Sequence, residues 1–285
     1  MRNILLLAIC ALVSLSASSK EVKEVKVATF NIRYGTANDG PNAWPNRKSI
    51  VADFFNTSKP DIIGMQEVLH LQIAFLDSAL QGYSHVGVGR EDGKMQGEYA
   101  PIFFNKERFS LKRSSTMWLS ETPTVVGSVG WDAALTRIAT YAVLYDKKAK
   151  QELLFVNTHF DHMGQKARAE SVKLIKKLIK EQGAKRYIVT GDFNLQPTEE
   201  PYKVAIEKVS GMPTLIDSRT SAADQSQASD KECTFNDFGK ITSSCIIDYI
   251  FVSPNFKALT YKIEKVKRNG VIISDHYPVI SILKY

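Results

Sequence analysis

The sequence predicts a mixed α/β chain of the α+β kind, in which strands and helices alternate irregularly. Three features carry that expectation. Short β-forming runs such as Tyr187-Ile188-Val189 end abruptly on polar residues. Amphipathic helical patterns lie between some of these runs, clearest over 166–181, with Ala169, Val172, Ile175, Leu178 and Ile179 on one face. Other runs return as hairpins, as 137–145 and 152–158 do across a lysine-bearing turn. A chain of 285 residues, 44% hydrophobic and 24% charged, has the composition of a globular protein with a sizeable core. Its net charge of +7 suits an anionic partner, although the lysines are spread along the chain rather than massed.

The amino terminus reads as a targeting segment. Arg2 precedes an apolar run over 4–15, and Ser16-Ala17-Ser18-Ser19 supplies small residues before Lys20. Residues 1–19 are therefore expected to be a cleaved signal peptide, and 20–285 one domain that is secreted or periplasmic. The apolar run is short for a bilayer span, and no later run approaches ~18 uninterrupted apolar residues, so no stable membrane insertion is expected. Two cysteines follow the leader, Cys233 and Cys245. Export permits a disulfide between them, and two buried thiols are the alternative.

The elements follow in order. A strand over 26–33 ends on Asn31 and Arg33, and a Gly/Asn/Pro-rich loop leads to a helix over 47–56. A strand over 61–67 ends on Glu67, and a helix over 69–80 follows. Strands are expected over 83–89 and 97–104, the second with Glu98 and Tyr99 just ahead of its apolar run. Residues 105–137 read as irregular, with Trp118 and Trp131 packing the loop down. The hairpin strands come next, the second ending at His159, then the long helix and the strand that presents Asp192 and Asn194. Residues 221–230 form a Ser/Ala/Asp/Gln-rich loop. A strand over 245–253 carries Asp248, another is expected over 261–267, one over 270–273 delivers Asp275 and His276, and 277–283 closes the sheet.

The polar groups at strand ends are Asn31, Glu67, His159, Asp192, Asn194, Asp248, Asp275 and His276. Carboxylates beside β core runs are costly unless paired, hydrated or bound to a cation. Carboxylate and amide oxygens suit Mg²⁺, or Mn²⁺, better than zinc. Histidines that do not ligate are then free to move protons or touch a phosphate.

Phe30-Asn31-Ile32-Arg33, Gln66-Glu67, Asn157-Thr158-His159, Gly191-Asp192-Phe193-Asn194, Ile247-Asp248-Tyr249 and Ser274-Asp275-His276 occur in an order that resembles the endonuclease/exonuclease/phosphatase superfamily. Gly97-Glu98-Tyr99 and the stretch around Trp118 look like a secreted bacterial branch. The resemblance implies a DNase I-like, four-layer sandwich of two mixed β-sheets flanked by helices. It implies Glu67 as the main Mg²⁺ ligand with Asn31 beside it and Asp275 near the metal. By the same resemblance Asp192 deprotonates the attacking water and is held by Asn194. His276 contacts the scissile phosphate, oriented by Asp248. His159 stabilises the charged phosphorane or assists the leaving oxygen, and Tyr99 contacts phosphate. Where some nuclease members carry an acid two positions after the Asn of the first motif, this chain has Arg33. Arg33 and Arg137 are candidates to bind substrate phosphate instead. The implied activity is a secreted, monomeric, Mg²⁺-dependent phosphoesterase, with a nuclease slightly favoured on the basic charge. The alternatives are a phosphodiesterase or phosphatase acting on lipid head groups, inositol or sugar phosphates, and a non-catalytic binding module on the same fold.

Overall fold

In a computed structural model the described residues are 23–225, 232–241 and 243–285. The expected leader, residues 1–19, lies outside them, as do residues 226–230 of the Ser/Ala/Asp/Gln-rich loop. No helix among the described residues is long and apolar enough to cross a membrane.

Two six-stranded mixed sheets form the body. The first begins with β1 (Glu24–Asn31), α1 (Trp44–Ser58), β2 (Ile62–Gln66), α2 (His70–Ala79), β3 (Tyr83–Val86) and β4 (Ile102–Asn105). The second takes β5 (Phe109–Trp118), β6 (Ile138–Asp146), β7 (Gln151–His159), α3 (Gln165–Glu181), β8 (Tyr187–Asp192), α4 (Glu200–Ile206), β9 (Ile216–Asp217), α5 (Ser218–Ser221) and β10 (Asp248–Val252). The chain then returns through β11 (Lys257–Ile263), a small ribbon of β12 (Lys267–Arg268) and β13 (Val271–Ile272), and β14 (Val279–Lys284). The strand orders are β11-β14-β1-β2-β4-β3 and β5-β6-β7-β8-β10-β9. Only β1–β2 and β7–β8 are parallel pairs within these sheets. Both parallel pairs are joined through a helix, as a parallel crossover requires.

Side-chain alternation along the central strands divides the core into layers. Val25 and Val27 of β1 and Ile62 of β2 join the large cluster between the sheets. Ala28, Phe30, Ile63 and Met65, one position out of step, join a second cluster under α1 and α2, with Ile50, Phe55, Ile73 and Leu76. The sheets approach closely at Gly64. A Cβ there would stand 2.2 Å from Thr190 Oγ1 and 2.4 Å from Asn157 Oδ1. That close approach lets Gln66 Nε2 donate across the interface to Asn157 Oδ1 at 2.7 Å, while Asn157 Nδ2 donates to the Met65 and Pro101 carbonyls. These buried amide bonds fix how the sheets sit on one another, and they leave Gln66 Oε1 buried without a hydrogen-bond partner.

Several boundaries differ from the sequence reading. The stretch 105–137 is not wholly irregular. It contains β5, an edge strand whose middle residues, Leu111-Lys112-Arg113-Ser114-Ser115, are exposed. A charged edge strand buries little on either face, so it lacks the apolar alternation that marks the others. Trp118, at its end, is buried and donates Nε1–H to the Arg90 carbonyl at 2.7 Å. The strand expected over 97–104 begins only at Ile102. Residues 245–247 precede β10 rather than extend it, which puts Asp248 at the strand's first position. Cys233 and Cys245 are free thiols on adjacent extended segments.

Candidate active site

The site grows from the register of the sheets. In the second sheet His159 of β7 is the cross-strand partner of Asp192 of β8, and Asp192 is the partner of Asp248 of β10. One row of the sheet therefore presents an imidazole and two carboxylates side by side. In the first sheet Asn31 of β1 is the partner of Gln66 of β2, and Glu67 follows at once. The rows meet where Asn31 Nδ2 donates to Glu67 Oε1 and to Asp192 Oδ2, both at 3.0 Å.

Each strand stops sharply where these groups emerge. Arg33, Glu67 and Asn194 all have left-handed backbone, with φ of 60°, 59° and 49°. Such conformations cost a side-chain-bearing residue energy and persist where surrounding bonds over-determine them. Here they do. Arg33 N donates to Asn31 Oδ1, Tyr34 N to Glu67 Oε2 and Asn194 N to Asp192 Oδ1, each at 3.0–3.1 Å. Arg47 adds a buried brace, donating to the carbonyls of Ile32, Arg33 and Ile273.

The electrostatics sort the groups into roles. His276 Nδ1 lies 2.9 Å from Asp248 Oδ2, and its Nε2 lies 3.6 Å from Asp192 Oδ2. Burial works against charge on His276, but Asp248 and Asp192 outweigh it and hold the imidazolium well above its ordinary range. Burial, with Asp248 close by, pushes the Asp192 carboxyl up to about 7. His159 goes the other way. Burial, reinforced by Arg137 and Arg90, keeps it neutral. Its Nε2 faces Asn194 Nδ2 at 3.1 Å, an N–H that only donates, so Nε2 accepts and Nδ1 carries the proton. That Nδ1 has no hydrogen-bond partner and lies 3.7 Å from Glu98 Oε2, which Arg90 holds at 2.6 Å.

These groups line a cleft of about 690 Å³, bounded by Arg33, Tyr34, Glu67, Glu98, Arg137, His159, His162, Asp192, Asn194, Phe235, Asp237, Asp275 and His276, with Leu135 and Ile247. Asn31 and Asp248 sit behind the wall, at 0% and 1% exposure. Arg33 pairs with Asp39 at 3.2 Å and reaches Asp275 at 3.5 Å. Arg137 is held by Asp161 and by His162 Nδ1.

Tyr99 is elsewhere. Its ring is buried, and its hydroxyl donates to the Lys94 carbonyl at 2.8 Å and meets His70 Nδ1 at 3.1 Å, outside the cleft wall. The expected phosphate contact is corrected to a structural role, because the isolated bridge of Tyr99 with Val68 turns the side chain into the α2 layer. The neighbouring residue, Glu98, faces the cleft instead. Sequence reasoning stopped one residue short, and the alternation of Glu98 and Tyr99 is the signal that separates them. Tyr34, His162, Phe235 and Asp237 were not singled out and carry no comparable signal.

The donor set fits a hard divalent cation. Glu67, Asp192, Asp248 and Asp275 converge in a largely dehydrated space, and Glu67 together with burial raises the Asp275 carboxyl. Among the described residues, ligand-type atoms of Asp192, Asp248 and His276 lie within 4.8 Å of one another. Glu67 and Asp275, with the Asn31 amide, are further oxygen donors that could hold a cation. As it stands, Asn31 turns Nδ2 rather than Oδ1 toward the carboxylates; a half-turn of that amide presents the oxygen.

A model of the endonuclease/exonuclease/phosphatase family matches residues 28–276. The chain belongs to this family. Among solved structures it is similar to an endonuclease/exonuclease/phosphatase from Bacteroides vulgatus, with 40% identity and a TM-score of 0.86 over 92% of this chain and 98% of that one. It is also similar to a mannosyl-6-phosphatase from Bacteroides thetaiotaomicron VPI-5482, with 34% identity and a TM-score of 0.80 over 92% and 100%. Danio rerio TDP2 complexed with single-strand DNA product shares the fold alone, at 17% identity and a TM-score of 0.72 over 92% and 99%. Members of the family are phosphoesterases, typically dependent on a divalent metal.

Proposed function

We propose that this chain is an exported, divalent-metal-dependent phosphoesterase acting on a small phosphorylated substrate, with Mg²⁺ as the first candidate and Mn²⁺ as the second. One observation carries the choice of a small substrate. Among the described residues the cleft wall holds five carboxylates (Glu67, Glu98, Asp192, Asp237, Asp275) against two guanidiniums (Arg33, Arg137) and the His276 imidazolium, with no lysine. A bound divalent cation neutralises part of that set, and one phosphoryl group is then welcome. A polyanion needs cations spread along its track, and the wall does not provide them. The similarity to a mannosyl-6-phosphatase supports a sugar phosphate within this class. The basic net charge is the support for the alternative, a nuclease, and the leader-like residues 1–19 are the support for export.

When bound, the cation supplies charge stabilisation for the phosphoryl oxygens. The protein's own groups do the rest. Asp192, steadied by Asn194 N, is the carboxylate able to take a proton from water at neutral pH. His276, oriented by Asp248, keeps Nε2–H turned into the cleft to donate to a phosphoryl oxygen. Neutral His159, held at Nε2 by Asn194, offers Nδ1–H beside Glu98. Arg137, locked by Asp161, holds a fixed positive charge near the phosphate.

The test is hydrolysis by the mature protein of a panel holding sugar phosphates, inositol phosphates, sphingomyelin, DNA and RNA, with Mg²⁺ or with chelator. Metal-dependent phosphate release from sugar phosphates is expected. Turnover confined to nucleic acid would replace this reading with the nuclease. Silence on every substrate, without Mg²⁺ binding, would favour a non-catalytic binding module.

A further inference from the structure

We infer that the turn at residues 235–239, together with the Arg137–His162 pair, forms a leaving-group subsite selecting an alcohol with neighbouring hydroxyls, a sugar above all. The inference rests on the phosphoesterase reading above and adds to it the residues that choose the substrate.

The turn is unusual for its backbone. Asp237 and Phe238 are successive non-glycine residues with φ of 43° and 52°, followed by Gly239 at 87°. Such a run is disfavoured for side-chain-bearing residues and needs a reason to persist. It is pinned to the catalytic segment. Asn236 N and Asp237 N both donate to the Asp275 carbonyl, at 2.7 and 3.1 Å, and Asn236 Oδ1 accepts from Gly239 N at 2.9 Å. Phe235 packs on the His276 ring with centroids 4.9 Å apart. The strained turn is thus fixed against Asp275 and the His276 ring, with Phe235 and Asp237 in the cleft wall.

The side chains suit a polyol. The half-buried Phe235 ring, with Leu135 and Ile247, offers an apolar face of the kind that covers the C–H side of a sugar ring. Asp237 contributes two acceptor oxygens; its ion pair with Lys240, at 3.2 Å, is solvent-exposed and therefore weak competition. On another part of the wall, the Arg137 guanidinium lies 3.1 Å from His162 Nδ1. Arginine only donates, so Nδ1 accepts and His162 carries its proton on Nε2, a donor at the exposed rim. Fixed donors and a fixed acceptor around an apolar patch complement hydroxyls, which both donate and accept. A second phosphate, by contrast, would meet the Asp237 carboxylate.

The test compares kcat/KM for a hexose 6-phosphate with that for p-nitrophenyl phosphate, whose leaving group has no neighbouring hydroxyls, in wild type, Asp237→Asn and His162→Ala. Asparagine tolerates positive φ, so Asp237→Asn keeps the turn while removing the charge. His162 is exposed, so His162→Ala leaves folding undisturbed. Each variant is expected to lower the ratio of the two kcat/KM values about tenfold, mainly through KM for the sugar phosphate. A ratio that stays at the wild-type value, or a parallel fall on both substrates, would overturn the subsite. Wild-type protein that cleaves neither monoester would overturn the parent reading and the subsite with it, a result distinct from either of these.

Discussion

The floor and the rim of the cleft are built on different principles. The floor is a product of strand register. His159, Asp192 and Asp248 are cross-strand partners in one row, and Asn31 joins them from the other sheet. All four are buried. The rim comes from connections: Glu98 ahead of β4, Arg137 ahead of β6, Asp161 and His162 after β7, and the 235–239 turn ahead of β10. Register allows little adjustment, because a one-residue slip would turn every floor side chain to the opposite face. Loop conformations are free to vary. The contrast assigns reaction chemistry to the floor and substrate choice to the rim.

The sharpest way to break this division is at Asp192. Asp192→Asn keeps the shape and removes the proton acceptor, and kcat is expected to fall by about 10³-fold on every substrate, within the usual range for a general base. A loss confined to one substrate would move Asp192 to the rim's role. Asp248→Asn comes next. It removes the charge that keeps His276 protonated, and kcat should fall about 10²-fold.

The same variant should also change the pH profile. In the proposed mechanism Asp192 acts ionised, so the rate is expected to rise with pH through a value at or below about 7, since a bound cation can only lower the metal-free value. Activity requires His276 charged, and its raised pKa puts that loss on the alkaline side. In Asp248→Asn the alkaline limb should move to lower pH while the acid limb does not move upward.

Asp161 tests the rim. Burial alone would raise its carboxyl, but N–H donors of Gly164, Ala134 and Met163, with Arg137, bring it down to about 2. A depressed pKa stabilises the fold above the unfolded value and is lost as pH falls toward about 2. After discounting for solvent screening, Asp161→Asn should cost roughly 1–2 kcal/mol at pH 7 in urea unfolding. The gap from wild type should narrow at pH 3. The smallest effect is expected at Tyr99. Tyr99→Phe removes a hydroxyl bound to the Lys94 carbonyl and should cost about 1 kcal/mol of stability. Its kcat/KM should stay within about twofold of wild type, and a tenfold loss would return Tyr99 to the cleft.

The floor was far more legible in the sequence than the rim, for a physical reason. Buried strands need apolar runs, and a polar group at the end of such a run stands out, as Asp192 does after Tyr187-Ile188-Val189. The two mixed sheets with outer helices were implied by the family resemblance that the motif order carries, and the irregular alternation of strands and helices agrees with them. β5 escaped notice because an exposed edge strand has no apolar alternation to show. The Asp237-Phe238 backbone, set by bonds to the Asp275 carbonyl far along the chain, leaves no local mark. Tyr99 was misread because which of two adjacent residues faces a cleft depends on one step of backbone direction.

The most direct test of the division between floor and rim is a four-way comparison of kcat/KM, with Asp192→Asn and Asp237→Asn each measured on a hexose 6-phosphate and on p-nitrophenyl phosphate. The account predicts that Asp192→Asn lowers both values by a similar factor, about 10³, and that Asp237→Asn shifts the ratio between them about tenfold. It is contradicted if Asp237→Asn depresses both substrates equally, or if Asp192→Asn spares either one.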